Sequence, residues 1–360
     1  MDSKTRIAVL FGGRSSEHEV SLLSAANVVG AMDRAKYEIV PIAVTRSGEW
    51  LLLEWDGQAM PAAVPETGVR VCLLPGGGGR MMAMPLTGAA YELPPVSVVF
   101  LVLHGLFGED GSVQGHAEVA DVAYVGCGIL GSAAALDKDI AKRLLGAAGL
   151  NVAASVTLRR ADTASFETIA DTLGLPVFVK PARQGSSVGV GKASSSEAFE
   201  TVLREAFRHD DKVLVETFVA GREIECAVLE DADGSISVSL PGEIVPAEKH
   251  GFYSYDAKYI DADGADVKVP ADLPDAVAET IRDIARRAFL ALGCEGMARV
   301  DVFLQADGEI TINEVNTIPG FTNISMYPKA FAASGIGNTE LIDRLIAHAL
   351  RRDRDRRAAR

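Results

Sequence analysis

The chain has 360 residues, 48% of them hydrophobic and 23% charged, with a formal net charge of −14. That length supports two or three domains with cores of their own. The acidic balance argues against a nucleic-acid partner, because such binders present a basic face, so an anionic small ligand would need a local basic cluster.

The four cysteines, Cys72, Cys127, Cys226 and Cys294, show no CxxC spacing and read as reduced core residues of a cytoplasmic protein. After Met1-Asp2-Ser3-Lys4 the apolar stretch is too short for a secretory signal, and no later stretch is long enough to span a bilayer, so no membrane partner is expected.

Arg6 to Phe11 reads as a buried strand ending in Gly12-Gly13. Ser16-Glu17-His18-Glu19 then matches a capping box opening a helix, and Glu38 to Val44 reads as the next strand. This β-α-β opening predicts a parallel sheet. Residues 46 to 95 read as loop-rich and without chemistry. Val96 to Leu103 is a strand whose C-terminal end carries the polar loop His104 to Gly111, at the edge where open α/β sheets bind ligands. One helix is expected over Leu136 to Leu145, strands at Val177 to Lys180 and Val213 to Glu216, and a helix over Asp275 to Leu292. The Arg- and Asp-rich tail from 351 to 360 reads as a frayed, solvated end.

Three motif matches fail on context. Gly126-Cys127-Gly128-Ile129-Leu130-Gly131 fits GxGxxG, yet Asn151 to Thr157 lacks the acidic residue a dinucleotide site requires. Gly185-Ser186-Ser187-Val188-Gly189 fits a nucleophile elbow, but Pro181 interrupts the approach and Val188 to Gly191 reads as extended, not helical. Gly191-Lys192 mimics a P-loop, with Ser186 where the first glycine belongs and Ala193 where the metal-binding hydroxyl belongs. What survives is a Gly/Ser-rich flap able to cover phosphates with backbone amides, Ser186 and Ser187 among them.

The most informative segment lies near the C-terminus. Ala298 to Gln305 and Glu309 to Asn316 are β-branched runs around Asp307-Gly308, a pair favouring a two-residue hairpin loop. With Ala306 opposite Glu309, Asp301 lies opposite Glu314 and Arg299 opposite Asn316, all on one face. Two facing carboxylates repel by about 4 kcal/mol at ~4 Å and an effective dielectric of ~20. A divalent cation cancels that cost, and Asp301, Glu314 and Asn316 offer hard oxygens suited to Mg²⁺ (or Mn²⁺). A solvated hairpin face is the alternative, and a three-residue loop would turn Glu314 to the other side.

Lys180 ends an apolar strand just before the flap, and Lys138 sits in the first turn of its helix. Either alone is compatible with a surface charge. With the flap and the metal site they make a nucleoside triphosphate, ATP, the economical ligand. Val215-Glu216-Thr217-Phe218-Val219 supplies an apolar slot for a base, with Glu216 and Glu223 as polar contacts to base and ribose.

Taken in order, Gly12 to Ser21, Leu103-His104-Gly105, Leu136-Asp137-Lys138, Val179-Lys180-Pro181, Gly185 to Gly189, Tyr253 to Tyr259, Arg299-Val300-Asp301 and Glu314 to Gly320 resemble the ATP-grasp family, and within it the D-alanine–D-alanine ligases. The resemblance runs from about Arg6 to Leu350. It implies an α/β, three-domain ATP-grasp fold: a Rossmann-like parallel-sheet domain (4–130), a central subdomain with the flap (131–217) and a C-terminal subdomain with a mobile loop and the metal hairpin (218–350). It also implies that Glu17 holds the ammonium of a first D-alanine, with His104 lining that subsite. The carboxylate of a second D-alanine would meet Ser325, with Met326 beside it. Arg299 and the Gly320 amide would stabilise an oxyanion, Lys258 would reach the phosphates, and Tyr259 would contact Ser186 and Glu17. A homodimer is the assembly the family suggests. The loop carrying Tyr259 keeps the pattern of dipeptide-forming enzymes, which favours an amine nucleophile over D-lactate. The alternatives are a sibling ligase using D-lactate or D-serine, a dinucleotide-dependent oxidoreductase and a non-catalytic nucleotide sensor.

Overall fold

A computed structural model describes residues 4–162, 165–246 and 265–359. Its strands form three sheets. The first comprises β1 (Thr5–Gly12), β2 (Tyr37–Val44), β3 (Trp50–Leu52), β4 (Val69–Leu73), β5 (Met81–Met84), β6 (Tyr91–Leu93), β7 (Val98–Val102) and β8 (Ala123–Val125), in the order β6-β5-β4-β3-β2-β1-β7-β8. Pairing is parallel among β2, β1, β7 and β8. Ile7 to Phe11 and Val98 to Val102 are wholly buried, as strands covered on both faces must be.

Residues 46 to 95 are not mainly loop. They supply β3 to β6, which extend the sheet through antiparallel pairings. These strands are three to five residues long, too short for their periodicity to register against the intervening glycines and prolines. The expected capping box does not form either. The helix His18–Ala31 has Glu17 at its cap position with no side-chain capping bond, and Glu19 pairs with Arg46.

The second sheet, in the order β11-β10-β12-β9, consists of β9 (Ser155–Arg159), β10 (Val177–Pro181), β11 (Gly191–Ala193) and β12 (Lys212–Thr217). Before it, the single helix expected over Leu136 to Leu145 is two helices, Ile129–Leu136 and Lys138–Ala147, broken at Asp137. Asp137 has extended backbone and its carboxylate accepts the Ile140 N–H, so it caps the second helix and makes Lys138 its first residue. Between β10 and β11 the flap does not run extended from Val188. Two turns, Val188 N–H to Gly185 O at 3.1 Å and Val190 N–H to Ser187 O at 3.3 Å, fold it, and Ser186 and Ser187 both have positive φ.

The third sheet contains β13 (Arg222–Glu230), β14 (Ile236–Val238), β15 (Gly242–Pro246), β16 (Ala265–Lys268), β17 (Met297–Leu304) and β18 (Ile310–Asn316). Its order is β16-β15-β13-β17-β18, with β14 also on β13. The helix Asp275–Ala291 lies where expected and buries Ile281, Ala285, Ala288 and Phe289. The tail is not frayed up to the last described residues. The helix Asn338–Ala358 continues through it, Arg352 donates to the carbonyls of Tyr124 and Gly126 at 2.8 Å, and Arg357 donates to that of Asp121 at 2.6 Å. Alternating Arg and Asp reads as a solvated end, yet here the arginines cap the edge of the first sheet.

The β17–β18 hairpin departs from expectation twice, and the departures offset one another. Gln305 pairs with Glu309 and Leu304 with Ile310, so the loop has three residues, Ala306-Asp307-Gly308, with Gly308 at φ +89°. A bulge between Asp301 and Val302 then leaves Asn313 as the extra residue on β18. Beyond it the pairing returns to Asp301 opposite Glu314 and Arg299 opposite Asn316.

Candidate active site

The second and third sheets enclose a cavity of about 360 Å³. Its walls include Lys138, Lys180, Ser187, Glu216, Phe218, Val219, Glu223 and Glu314, residues that lie up to 176 positions apart in the chain, as their numbers from 138 to 314 show. Phe178 stacks on Phe218 with centroids 5.8 Å apart, and Lys192 lies over the Phe218 ring at 4.3 Å, so one end of the cavity is flat and aromatic.

The other end is cationic. Lys138 Nζ donates to the Gln184 carbonyl at 2.7 Å and lies 3.7 Å from Glu314, linking helix, flap and hairpin. Lys180 Nζ is 2.8 Å from Glu216 and 3.3 Å from Asn313 Oδ1, so the bulge aims Asn313 at the cavity. Burial opposes the Lys180 charge, but Glu216, with Glu314 and Glu223 behind it, outweighs burial and holds its pKa above the usual lysine range. Glu216 is also 3.2 Å from Lys142. Burial works to raise the Glu216 pKa, and the two lysines overcome it, so the carboxylate stays ionised. Glu216, expected at the edge of a base, is therefore an anchor for two ammoniums. Lys142 was not singled out from the sequence. The signal was there, since it stands four residues after Lys138 on the same helical face.

On the hairpin, Asp301 is buried and flanked by Arg299, whose Nε and Nη2 donate to its two oxygens at 2.7 and 2.6 Å. Arg299 also lies 3.0 Å from Glu225, which pairs with Asp301 across β13 and β17. Burial works against the guanidinium charge; Asp301 and Glu225 more than compensate, so the Arg299 pKa lies well above its usual value. Asn316 bonds Asp301 at 3.0 Å. Among the described residues no cluster of three His, Cys, Asp or Glu side chains is arranged around a metal position. The set Asp301, Glu314 and Asn316 has two carboxylates and an amide, which fits a small hard cation that takes its other ligands from water and phosphate.

Next to this face lies a second constellation. Ser186 Oγ donates to the Glu17 carboxylate, joining the flap to the start of the helix His18–Ala31. A β-carbon on Gly185 would stand 2.8 Å from Glu17 Oε2, and one on Gly105 3.1 Å from it, so two glycines let the backbone surround this carboxylate. His104 is buried behind it. Its Nδ1 lies 2.9 Å from the Ile318 carbonyl, which can only accept, so Nδ1 carries the proton and Nε2 faces Ser24 Oγ at 3.3 Å. Burial lowers the His104 pKa against the pull of Glu17, which leaves the ring neutral. Both ring nitrogens are thus spent on protein partners, and His104 acts as a shaped wall.

Glu109, also missed in the sequence, clamps the same loop. Its carboxyl accepts the N–H groups of Gly105 and Ile318, each at 2.8 Å. Burial, then the neighbouring Glu17, pushes its pKa up to about 8. The turn it holds, Thr317-Ile318-Pro319-Gly320, leads to Ser325. A β-carbon on Gly320 would stand 2.9 Å from Ser325 Oγ, which accepts the Thr322 N–H at 3.0 Å. Met326 is buried beside it. The mobile loop expected over Gly242 to Asp266 is a strand at each described end, β15 (Gly242–Pro246) and the start of β16 (Ala265–Lys268), and residues 247 to 264, Lys258 and Tyr259 among them, lie outside the described residues.

The sequence and the fold are matched by known proteins. The family models for the N-terminus and the C-terminus of D-Ala–D-Ala ligase match residues 6–127 and 144–347. The chain belongs to the D-alanine–D-alanine ligase family. A family relative from Mesorhizobium japonicum, named D-alanine–D-alanine ligase A, is 62% identical over 99% of this chain and 100% of its own length. One of the same name from Brucella suis is 57% identical over 97% and 98%. Among solved structures, the D-alanine–D-alanine ligase of Coxiella burnetii superposes with a TM-score of 0.86 at 35% identity, covering 99% and 97% of the two chains. A D-Ala:D-Ser ligase from Enterococcus faecalis gives 0.84, also at 35% identity, over 96% and 100%. The ATP-grasp fold is thus shared across family members with different second substrates. The described residues include no helix long and apolar enough to cross a membrane.

Proposed function

We propose that this chain is an ATP-dependent ligase that joins two D-alanine molecules into D-alanyl-D-alanine for peptidoglycan synthesis in the cytoplasm. The observation that carries the reading is the junction of two compartments. A lysine-lined cavity with an aromatic end meets the Glu17–Ser186 pair and the Gly320–Ser325 turn at the Asp301/Glu314 hairpin.

ATP lies in the cavity with its base against Phe178 and Phe218, and its phosphates reach Lys138 and Lys180 under the flap amides. Asp301, Glu314 and Asn316 would hold Mg²⁺ or Mn²⁺, which would supply charge neutralisation for the transferring phosphoryl group. Glu17 receives the ammonium of the first D-alanine and so orients its carboxylate toward the γ-phosphate. Transfer of the γ-phosphoryl group to that carboxylate releases ADP, and the amine of the second D-alanine, held through its carboxylate at Ser325, attacks the acyl phosphate, loses a proton and expels inorganic phosphate. Arg299 and the Gly320 N–H then face the developing oxyanion, a role in which one preorganised donor contributes about 3–4 kcal/mol. Ser186 and the flap keep water from the acyl phosphate. Lys258 and Tyr259 retain the roles the resemblance implies, and the working form is a homodimer.

The test is phosphate release from ATP and Mg²⁺ with D-alanine, against L-alanine, D-serine and D-lactate, with mass spectrometry of the product. Release with D-alanine alone and a D-alanyl-D-alanine mass supports the reading. Preferential coupling of D-serine or D-lactate keeps the ATP chemistry and overturns the second substrate.

A further inference from the structure

Among the described residues, the charged side chains lining the cavity balance: Lys138, Lys142, Lys180 and Arg222 face Glu216, Glu223, Glu243 and Glu314. A polyphosphate entering a protein of net charge −14 therefore meets a wall whose cations are matched one for one by carboxylates. Three of these cations have evident work. Lys138 reaches the flap and Glu314, Lys180 faces the hairpin, and Arg222 is paired with Glu243 at 2.7 Å.

Lys142 is different. It is only 8% exposed, on the second turn of the helix that begins at Lys138, and it donates to the Ala153 carbonyl at 3.0 Å. Its acidic partner among the described residues is the 5%-exposed Glu216, whose Oε1 it meets while Oε2 meets Lys180. A buried and a partly buried ammonium thus share one carboxylate, and the three groups carry a net charge of +1. Without Lys142, Glu216 would neutralise Lys180 one to one, and the described lining would fall to −1.

We propose that Lys142 is a positioning residue for the nucleotide: by sharing the Glu216 carboxylate with Lys180 it weakens that carboxylate's hold on Lys180 and leaves the Lys142–Glu216–Lys180 trio with one net positive charge for the phosphates. It touches Glu216 and acts on the ligand through Lys180. Burial lowers its own pKa and Glu216 only partly restores it, as befits a charge retained against a desolvation cost. The inference rests on the reading of the cavity as an ATP site.

The experiment is titration calorimetry of the full-length protein with Mg·ATP, together with steady-state KM values, for wild type, K142M, K142R and the double variant K142M/E216Q. K142M weakens ATP binding on the order of ten- to a hundredfold, the effect of one charge over several ångströms at an effective dielectric of ~20, while the KM for D-alanine changes little. K142R stays within a few-fold of wild type. K142M/E216Q removes one charge of each sign, so the lining returns to balance and ATP affinity recovers to within a few-fold of wild type. The double variant leaves no buried charge stranded and therefore reports even if K142M alone is unstable. An unchanged K142M, or a double variant that binds ATP no better than K142M, overturns the inference while leaving the ATP site in place. A wild type that binds no ATP overturns the reading of the cavity and this inference with it.

Discussion

Ser186 donates its hydroxyl proton to the carboxylate of Glu17, a residue 169 positions earlier in the chain. This bond joins the turn-forming flap, where Ser186 sits at φ +52°, to the start of the first long helix. The flap is also held by its own turns and by the Lys138–Gln184 contact, and the Glu17 bond sets how closely it covers the cavity.

S186A should therefore lower kcat by roughly ten- to hundredfold, the worth of one hydrogen bond to a charged group, with native stability nearly unchanged. In the same assay E17Q should lose more, because it removes both the flap anchor and the charge proposed to meet the substrate ammonium. ATP hydrolysis without dipeptide formation should rise as a fraction of turnover in S186A. A wild-type ratio of phosphate to dipeptide in S186A would count against the flap as a water shield.

The hairpin places Asp301 and Glu314 side by side, with Arg299 already bonded to Asp301. D301N and E314Q should each cut kcat by on the order of a hundredfold and raise the Mg²⁺ concentration needed for half-maximal rate. Mg²⁺ titration at saturating D-alanine and ATP checks this. Variants that keep wild-type Mg²⁺ dependence would leave the pair as a structural ladder with Arg299 and Glu225.

The same hairpin shows what was legible in the sequence and what was not. The β-branched runs and Asp-Gly dipeptide located both strands and the turn, and the facing of Asp301 and Glu314 was correct. The route to it was not, since Asp-Gly also suits a three-residue loop with glycine in the left-handed region, and nothing local announces the bulge at Asn313. Lys138, Lys180 and the flap were readable because backbone signals, a strand end, a helix start and clustered glycines, sit beside them. Glu109 and Glu225 were not, because their importance comes from partners distant in sequence, Ile318 and Arg299, and Lys142 offered only its helical spacing from Lys138, its partner Glu216 being equally distant. The short strands β3 to β6 were hidden for want of length, and the docked tail because its arginines bond backbone carbonyls that no charge pattern reveals.

The loop geometry carries its own test. Gly308 is exposed at φ +89°, and a β-carbon there would have no atom within 4 Å, so a substitution meets backbone strain alone. G308V should destabilise the protein by about 1–2 kcal/mol in urea unfolding while leaving kcat and both KM values unchanged. A matching loss of Mg²⁺ dependence would mean that the loop, and not the bulge at Asn313, sets the register of Asp301 and Glu314.

Glu109 gives a pH signature. Its carboxyl titrates at about 8 in the folded chain, raised by burial and then by Glu17, against an ordinary value of 4.5. Between those two values the folded state holds a proton that the unfolded state has lost. The stability this group contributes is thus fully present below about pH 4.5, declines as pH rises, and is gone above about pH 8. The limiting slope for one such proton is about 1.4 kcal/mol per pH unit. Denaturation curves of wild type and E109Q between pH 5 and 9 isolate it, since the other titrating groups are common to both. Wild type should lose stability relative to E109Q as pH rises through this window and run parallel to it above. Parallel stability curves across the whole range would mean that the two backbone N–H groups hold the carboxylate ionised, outweighing burial.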